Sequence, residues 1–597
     1  MIPKELLPRP ALRIGITGRR ALIVSKQENA EGQPSDIDVS GRIREAVRET
    51  LTLVQEVARD EFKRASHLYQ QEIAEFWAVS PLAEGADRVF AEEAIKLDYV
   101  LECPLPFDRD EYSKDFKDAS SKAKFYEQLG DAFRVLELDG QRESKSAESA
   151  AYEAVGRLVV DQCDLLIAIW DGKPDNGRGG TSDIIDFAAG KVPIICLRMD
   201  SESHEVYGRA GRRRPERYSS EALRRLIEHI VVPPWLLHGR GGDSDLTGSY
   251  VQNLSAKGSL LGWFWKRFIR FMLVGKNPRQ AASQHVPDGP FLRYYEPFDG
   301  YANRLSGLYR GAFLLNYILG VLAVVIALVG AAFHGLSDQI IYRTIMLHPT
   351  VIERVLVGTE LLTIGVIFSI ILLLGKRRWH YRSVDCRYLG EQFRVLCYLH
   401  TLALSPPHPK LPAHHLEHNV QKSWMEWLLR GVVRETQMPH GKFSKDRVEI
   451  EQTKILAWVR GQIQYHRFNA VRLTVIEGRL RMFVWISLLA ILIACSVHLF
   501  WDPKSVAWLL MAIAAGFPAF SAACHAIASQ GEFERLAERS KAMRESLEIA
   551  AKELREMGTQ GNLTVGDLRE VARAIAELAV EEVVDWQILY RKPVPPP

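Results

Sequence analysis

LVVDQCDLLIAIWDGKPDNGRGGTSDIIDFAAGKVPIICL, residues 158–197, decides the fold. Residues 165–170 are a short apolar run between Asp164 and Asp171, which reads as a buried strand. A loop with Gly172, Gly177, Gly179 and Gly180 follows. Thr181 and Asp183 are placed to cap a helix that continues over residues 184–189, Gly190 stops it, and residues 192–197 are a second apolar strand. This is one βαβ unit, so the strands are expected to be parallel and the crossover right-handed. Glycines let the backbone come close to a ligand, and free N–H groups at a helix start point at an anion. Alone, such a loop is equally the tight turn of any α/β domain.

Two further strands end in the same way. Residues 12–16 are apolar and run into Thr17, Gly18, Arg19 and Arg20; residues 76–79 run into Ser80, Pro81, Leu82, Ala83, Glu84, Gly85, Ala86 and Asp87. In an open parallel sheet the carboxyl ends of the strands line one crevice, where ligands bind. The candidate ligand-binding residues are Gly15, Thr17, Gly18, Arg19, Ser80, Glu84, Gly85, Asp87, Arg88, Asp171, Gly177, Gly179, Gly180 and Thr181.

GITGRR, SPLAEGADR, PLPF and AIWDG…GRGGT, in this order over residues 12–199, resemble the SLOG family. That Rossmann-like superfamily includes the cytokinin-activating LOG enzymes, the DNA-processing protein DprA and nucleotide-sensing domains of bacterial defence proteins; the cytoplasmic region of melastatin-type TRP channels is similar. The resemblance implies a Rossmann-like α/β domain with a nucleotide pocket beside the PLPF stretch, where Phe107, Tyr112 and Tyr152 are candidates to stack on a base, or else ordinary packing residues. LOG enzymes carry a PGGxGTxxE loop with a catalytic Glu. Here no Glu follows Thr181 at that place, so no catalytic residue carries over, whereas phosphate binding needs only the glycines and Thr181.

The chain has 597 residues, enough for several domains. Its 76 Lys and Arg nearly balance 73 Asp and Glu, so no basic bias points to nucleic acid. Seven cysteines without a CxxC pair fit reduced, buried thiols in a reducing compartment. MIPKELLPRP carries no apolar run, so no cleaved leader is expected. Residues 39–71 read as one long helix that packs on the sheet. His414, His415 and His418 form an HHxxH cluster, but no Cys or second acidic group stands near it, and no metal is expected.

Residues 201–297 read as a linker with some structure. Within it LLGWFWKRFIRFMLV, residues 260–274, is too charged to span a membrane. It fits an interfacial helix lying at the headgroups of the lipid bilayer, anchored by Trp263, Phe264, Trp265, Phe268 and Phe271 and attracted to anionic lipid through Lys266, Arg267 and Arg270, or a buried amphipathic one. Because this segment joins the two halves, residues 263–270 are the expected lever between them. Residues 311–335, 355–374, 482–501 and 506–528 are each apolar and long enough for a hydrocarbon core of ~30 Å. Arg304, Arg310, Lys376, Arg377, Arg378, Arg472, Arg479 and Arg481 flank the spans on one side, which places both chain ends in the cytoplasm.

The two hairpins look like copies offset by roughly 150–170 residues. The expected units are residues 1–200, 201–297, 298–400, 401–460 and 461–597, with an all-α four-span membrane domain made of two tandem hairpin units. The first hairpin, with RSVDCRYLGEQFR after it, and the chain end at Val584, Asp585, Trp586, Tyr590 and Arg591 resemble SLATT domains, two-span membrane effectors found fused to or beside SLOG domains. Glu360 lies inside the second span, where a carboxylate is costly unless it faces water, a partner or the bundle interior, or snorkels to the outer interface. Pro518, with Gly516, is expected to kink the fourth span, and Ala512, Gly516, Ala519 and Ala523 give it a small-residue face.

Three functions follow as expectations. The first is a sensor and effector of the bacterial inner membrane, in antiviral defence by abortive infection. Its SLOG-like domain binds a nucleotide second messenger or ADP-ribose-like ligand, and its homo-oligomer perturbs the bilayer or opens an ion channel or pore. It needs no cofactor beyond that ligand. The second is a membrane-anchored nucleotide or NAD N-glycosidase of the LOG type, with Glu84, Asp87 or Asp183 as general acid. The third is a scaffold without a small ligand. The resemblance favours the first.

Overall fold

A computed structural model describes residues 4–26, 35–173, 178–201, 204–208, 216–233, 260–275, 288–334, 349–407, 424–501, 506–559 and 563–591. Gly177, the HHxxH histidines and, within the linker, residues 202–203, 209–215, 234–259 and 276–287 lie outside the described residues.

The chain opens with β1 (Ala11–Gly18) and a small antiparallel ribbon, β2 (Ile23–Lys26) and β3 (Ser35–Asp38). The helix α1 (Ser40–Arg64) leads to β4 (Glu75–Val79), α2 (Ala86–Lys96) and β5 (Val100–Leu105). Then come α3 (Arg109–Tyr112), α4 (Ala119–Asp131), β6 (Arg134–Glu137), α5 (Lys145–Asp161), β7 (Leu165–Trp170), α6 (Thr181–Ala188) and β8 (Ile194–Arg198). Two edge strands, β9 (Glu205–Tyr207) and β10 (Glu216–Arg217), precede α7 (Ser220–Val231).

Sheet order is β10-β9-β8-β7-β1-β4-β5-β6, and a ninth strand, β11 (Gly441–Lys442), closes the far edge beside β6. All strands from β8 to β11 are parallel, as the βαβ reading required, whereas β9 and β10 are antiparallel additions. The apolar run of β7 is unbroken because both sheet faces are covered. Leu165, Ile167 and Ile169 belong to the core shared with α1 and α2, while Leu166 and Ala168 belong to a second core shared with α5 and α6. From β1 the chain steps outward through β4, β5 and β6; it then returns to β7 and steps the other way to β8. The order reverses between β1 and β7, which is where an open α/β sheet leaves a crevice.

The sheet thus runs past residue 200, and the segment expected as a connector over 401–460 supplies a strand to it. The reason these were illegible is physical: two- and three-residue edge strands are too short to show alternation.

The rest is helical: α8 (Leu260–Met272), α9 (Leu292–His334), α10 (Pro349–Arg377), α11 (Trp379–Leu399), α12 (Trp424–Glu435), α13 (Lys445–Trp501), α14 (Ala507–Gly531), α15 (Phe533–Thr559) and α16 (Val565–Arg591). Among the described residues, four helices are long and apolar enough to cross a membrane, those with the apolar stretches of α9, α10, α13 and α14. They turn Leu361, Leu362, Phe368, Leu489 and Leu492 outward, which water does not tolerate in such number and lipid does. The two halves of the helical part repeat one plan. A long helix and a second span are followed by one left-handed residue, Arg378 (φ 46°) or Glu532 (φ 49°), after which a third helix returns along the first.

Candidate functional site: the crevice between β1 and β7

Three loops meet at the carboxyl ends of β1, β4 and β7. The Arg19 N–H donates to the Ile169 carbonyl at 3.1 Å, and the Ala86 N–H donates to the Arg19 carbonyl at 3.2 Å. Two glycines make this approach possible. A Cβ on Gly18 would collide with the Ala86 side chain, and one on Gly85 (φ 82°) with the Arg20 carbonyl. Arg19 then crosses to the third loop: Nη2 donates to Asp171 Oδ1 at 2.9 Å and to the Lys173 carbonyl at 3.0 Å. Of the expected residues, Thr17, Gly18, Arg19, Glu84, Gly85 and Asp171 are brought together here and are partly exposed.

Others are placed differently. Gly15 lies under α5, where a Cβ would sit 2.8 Å from the Val159 side chain. Ser80 is fully buried, its hydroxyl donating to the Asp87 carbonyl at 3.0 Å. Arg88 is buried too, with Nε donating to the Leu82 carbonyl at 3.1 Å and its guanidinium over the Phe116 ring. Thr181 is buried, while Gly180 is half-exposed at the start of α6. Gly179 was expected to offer its amide to a phosphate. That amide instead donates to Asp183 Oδ2 at 2.9 Å, and a Cβ on Gly179 would lie 2.6 Å from the Glu153 amide nitrogen. Glycine is required there by the packing of the loop on α5. Asp183 binds the loop and does not cap α6 by a side-chain bond.

The electrostatics of the crevice are mixed. Arg20 is half-exposed, stacked 4.9 Å over the Tyr152 ring and 3.4 Å from Asp115. Arg198 covers Gly172 and holds Asp200 through two bonds of 2.8 and 2.7 Å. Glu84 accepts from the Ser121 hydroxyl. Beneath the Arg20 loop, Asp87 is buried; burial pushes its carboxyl up to about 7, against the pull of Arg20 and a backbone bond from Ala83. Phe107 and Tyr112 are wholly buried with Phe116 and Phe125, so they are core residues, and only Tyr152 keeps an accessible part.

At the amino ends of the strands lies a second polar cluster. Arg13 of β1 pairs with Glu102 of β5; both are buried. Arg13 Nε donates to the Gln162 carbonyl at 2.7 Å and Nη1 to the Thr436 carbonyl at 3.1 Å, while Glu102 accepts the Met438 N–H at 2.9 Å. Asp164 accepts from Arg434 Nε at 2.9 Å, and Arg434 Nη2 donates to the Ile230 carbonyl at 3.0 Å. Residues 436–443 then climb beside β6, where the Phe443 N–H reaches the Glu137 carbonyl at 2.8 Å, and α13 starts. The C-terminal helix docks alongside, Arg573 reaching Asp161 at 2.5 Å. These residues were not singled out above. The available signal was a charge inside each of two apolar strands, LRIGITG and VLECPL, since charges buried in a sheet are paired.

In the membrane part, Glu360 is half-buried on α10. Pro518 lies inside a continuous α14, and Gly516 faces the Leu328 side chain of α9. Trp263 is exposed, but Trp265 is buried against Phe313 and Phe533, so the two tryptophans of α8 face different surroundings. No metal cluster is present among the described residues. No protein-family model matches the chain, and comparisons with curated proteins and with solved structures return no match.

Proposed function

We propose that the chain is a ligand-responsive membrane effector. The crevice takes a phosphate-bearing, nucleotide-derived ligand, and the helical part perturbs or opens the bilayer. The observation that carries this reading is the convergence of three loops, with Arg19 and Arg20, at the strand-order reversal of a sheet that also holds the start of a spanning helix. A ligand can change the membrane part only if it prefers one conformation of the whole. Moving a 1:99 ratio to 99:1 takes about 5.5 kcal/mol of differential affinity. A few charge-assisted hydrogen bonds of roughly 1.5–3 kcal/mol each supply that.

The route differs from the lever expected over residues 263–270. α13 begins beside the carboxyl end of β6, at the same end of the sheet as the crevice, and runs unbroken to Trp501. The SLOG and SLATT resemblances extend the proposal to a homo-oligomer in a bacterial inner membrane, termini cytoplasmic, acting in antiviral defence. The test is calorimetry with ADP-ribose and AMP on the full chain, followed by dye release from proteoliposomes. Binding that Arg19→Ala weakens, coupled to dye release, supports the proposal; tight binding with no release under any condition removes the effector half.

One observation favours a second reading, a nucleotide N-glycosidase. Asp87 is buried beneath the Arg20 loop, and burial pushes its carboxyl up to about 7, within the range a general acid needs. Multiple-turnover release of free base, lost in Asp87→Asn, would put this reading first.

A further inference from the structure

One face of α8 is sealed into the helical part. Trp265 sits between Phe313 of α9 and Phe533 of α15, with the Arg310 guanidinium 5.6 Å from its ring centre. Met272 and Leu273 are buried in the same cluster as Leu473, Ile476 and Leu480 of α13. The start of α8 lies against Gly311 of α9, where the Leu261 carbonyl fills the space that a Cβ would need. Its end is held by Arg479 of α13, which donates to the Phe271 carbonyl at 3.3 Å and the Val274 carbonyl at 2.6 Å. Gly311 opens the first apolar stretch and Arg479 stands just ahead of the third. The helix therefore runs along the level at which two spans enter the apolar layer.

The opposite face is open. Leu260 is 86% exposed, Trp263 61%, Phe271 61% and Val274 66%. Lys266, Arg267 and Arg270 are exposed among them, and α8 contains no acidic residue.

We propose that this face of α8 is a docking surface for anionic phospholipid, with Trp263 and Phe271 in the outer acyl region and the three cations on headgroup phosphates. The proposal rests on the four-span reading and is independent of the ligand in the crevice. Three arguments carry it. The level is fixed at both ends of the helix by spanning helices. Large apolar side chains beside lysine and arginine suit the boundary between headgroup and chain, where neither water nor hydrocarbon alone satisfies both. And three cations packed together repel a second copy of the same face, while an anionic leaflet attracts them by a factor of about five for each.

The experiment uses the full chain in phosphatidylcholine vesicles that contain brominated phosphatidylglycerol or brominated phosphatidylcholine at equal mole fraction. The fluorescence difference between the wild type and Trp263→Phe isolates the signal of Trp263. The expected result is quenching of Trp263 by both lipids, at least about fivefold more efficient with phosphatidylglycerol. Exchanging Lys266, Arg267 and Arg270 for glutamine should erase the preference and keep the quenching, because exposed side chains are being changed and Trp265 still holds the helix. Replacing Lys266 by arginine should keep both. Equal quenching by the two lipids overturns the anionic preference. No quenching by either means that water or another protein chain covers this face, and overturns the proposal altogether.

Discussion

The two ends of the sheet are built from different material. At the carboxyl ends, small residues press three loops together and leave arginine side chains partly in solvent. At the amino ends, arginines and carboxylates are buried and every one of Arg13, Glu102, Asp164 and Arg434 is bonded to a distant stretch of chain. A buried charge without its partner is expensive, so the amino end is a fastening that tolerates no slack. At the carboxyl end, Arg19 and Arg20 are paired with Asp171 and Asp115 and keep part of their surface in solvent. The helical part is tied in at the amino end too, where the Gln162 side-chain amide donates to the carbonyl of Ala403, just after α11, at 3.0 Å. The proposed recognition site and the fastening thus lie at opposite ends of the same strands.

The largest effect should come from breaking the fastening. Glu102→Gln leaves the buried Arg13 without its carboxylate partner and, because one oxygen becomes an NH2, leaves either the guanidinium or the Met438 amide without its acceptor. Removing one member of a buried pair costs about 3–5 kcal/mol. Thermal unfolding of the detergent-solubilised chain should show a sharply lower midpoint. A midpoint within a degree or two of wild type would mean that the cluster is hydrated and weak. Gly179→Asp belongs with this group: its Cβ would strike the α5 backbone, so the variant should lose folded protein before it loses any ligand.

Below that comes a pH effect at the crevice end. Asp87 holds its proton to about pH 7 in the folded chain, whereas an unfolded aspartate releases it near 3.8. The folded state therefore binds the extra proton between those values, and the contribution of Asp87 to stability is full at low pH and lost as pH rises through 7. Asp87→Asn should flatten this part of the pH–stability curve and leave the protein relatively more stable at pH 8. An unchanged curve would show that Asp87 is solvated. Smaller still, Arg19→Ala should weaken nucleotide binding by roughly tenfold or more, the worth of one charged hydrogen bond. Its unfolding midpoint should fall less than that of Glu102→Gln, since Arg19 and Asp171 are each about a quarter exposed and Asp171 keeps the Lys173 N–H as a donor.

How much of this was readable follows from the same contrast. The parallel sheet was legible because its longer strands are mainly apolar runs of five to eight residues bounded by small or polar turn residues, and the spans were legible by length and apolar composition together. The loops were placed correctly in space, but a glycine in a sequence does not say which neighbour forbids its side chain. Gly15 and Gly179 are small because helix α5 lies on them, and Gly18 and Gly85 because two loops touch. The fastening was invisible for another reason. Arg13 and Thr436 lie far apart in the chain, and the strand that brings them together has only two residues.

The smallest effect should appear at the rim of that seam, and it separates fastening by buried charge from mere proximity of charge. Lys442 of β11 pairs with Asp108 at 2.5 Å, and their side chains are 53% and 34% exposed. The Lys442 ammonium, as the largest influence, holds the Asp108 carboxyl below the usual range. Yet the lysine is open to solvent, and holding it in one rotamer costs entropy, so such a pair contributes little. Lys442→Ala should therefore lower the unfolding midpoint far less than Glu102→Gln does. A double-mutant cycle with Asp108→Ala should return a similarly small coupling, shrinking as salt is added, because solvent-exposed charges are screened. The same cycle between Arg13 and Glu102 should be insensitive to salt. If Lys442→Ala costs as much as Glu102→Gln, strand β11 itself, and not the buried charges behind it, holds the membrane helix to the sheet.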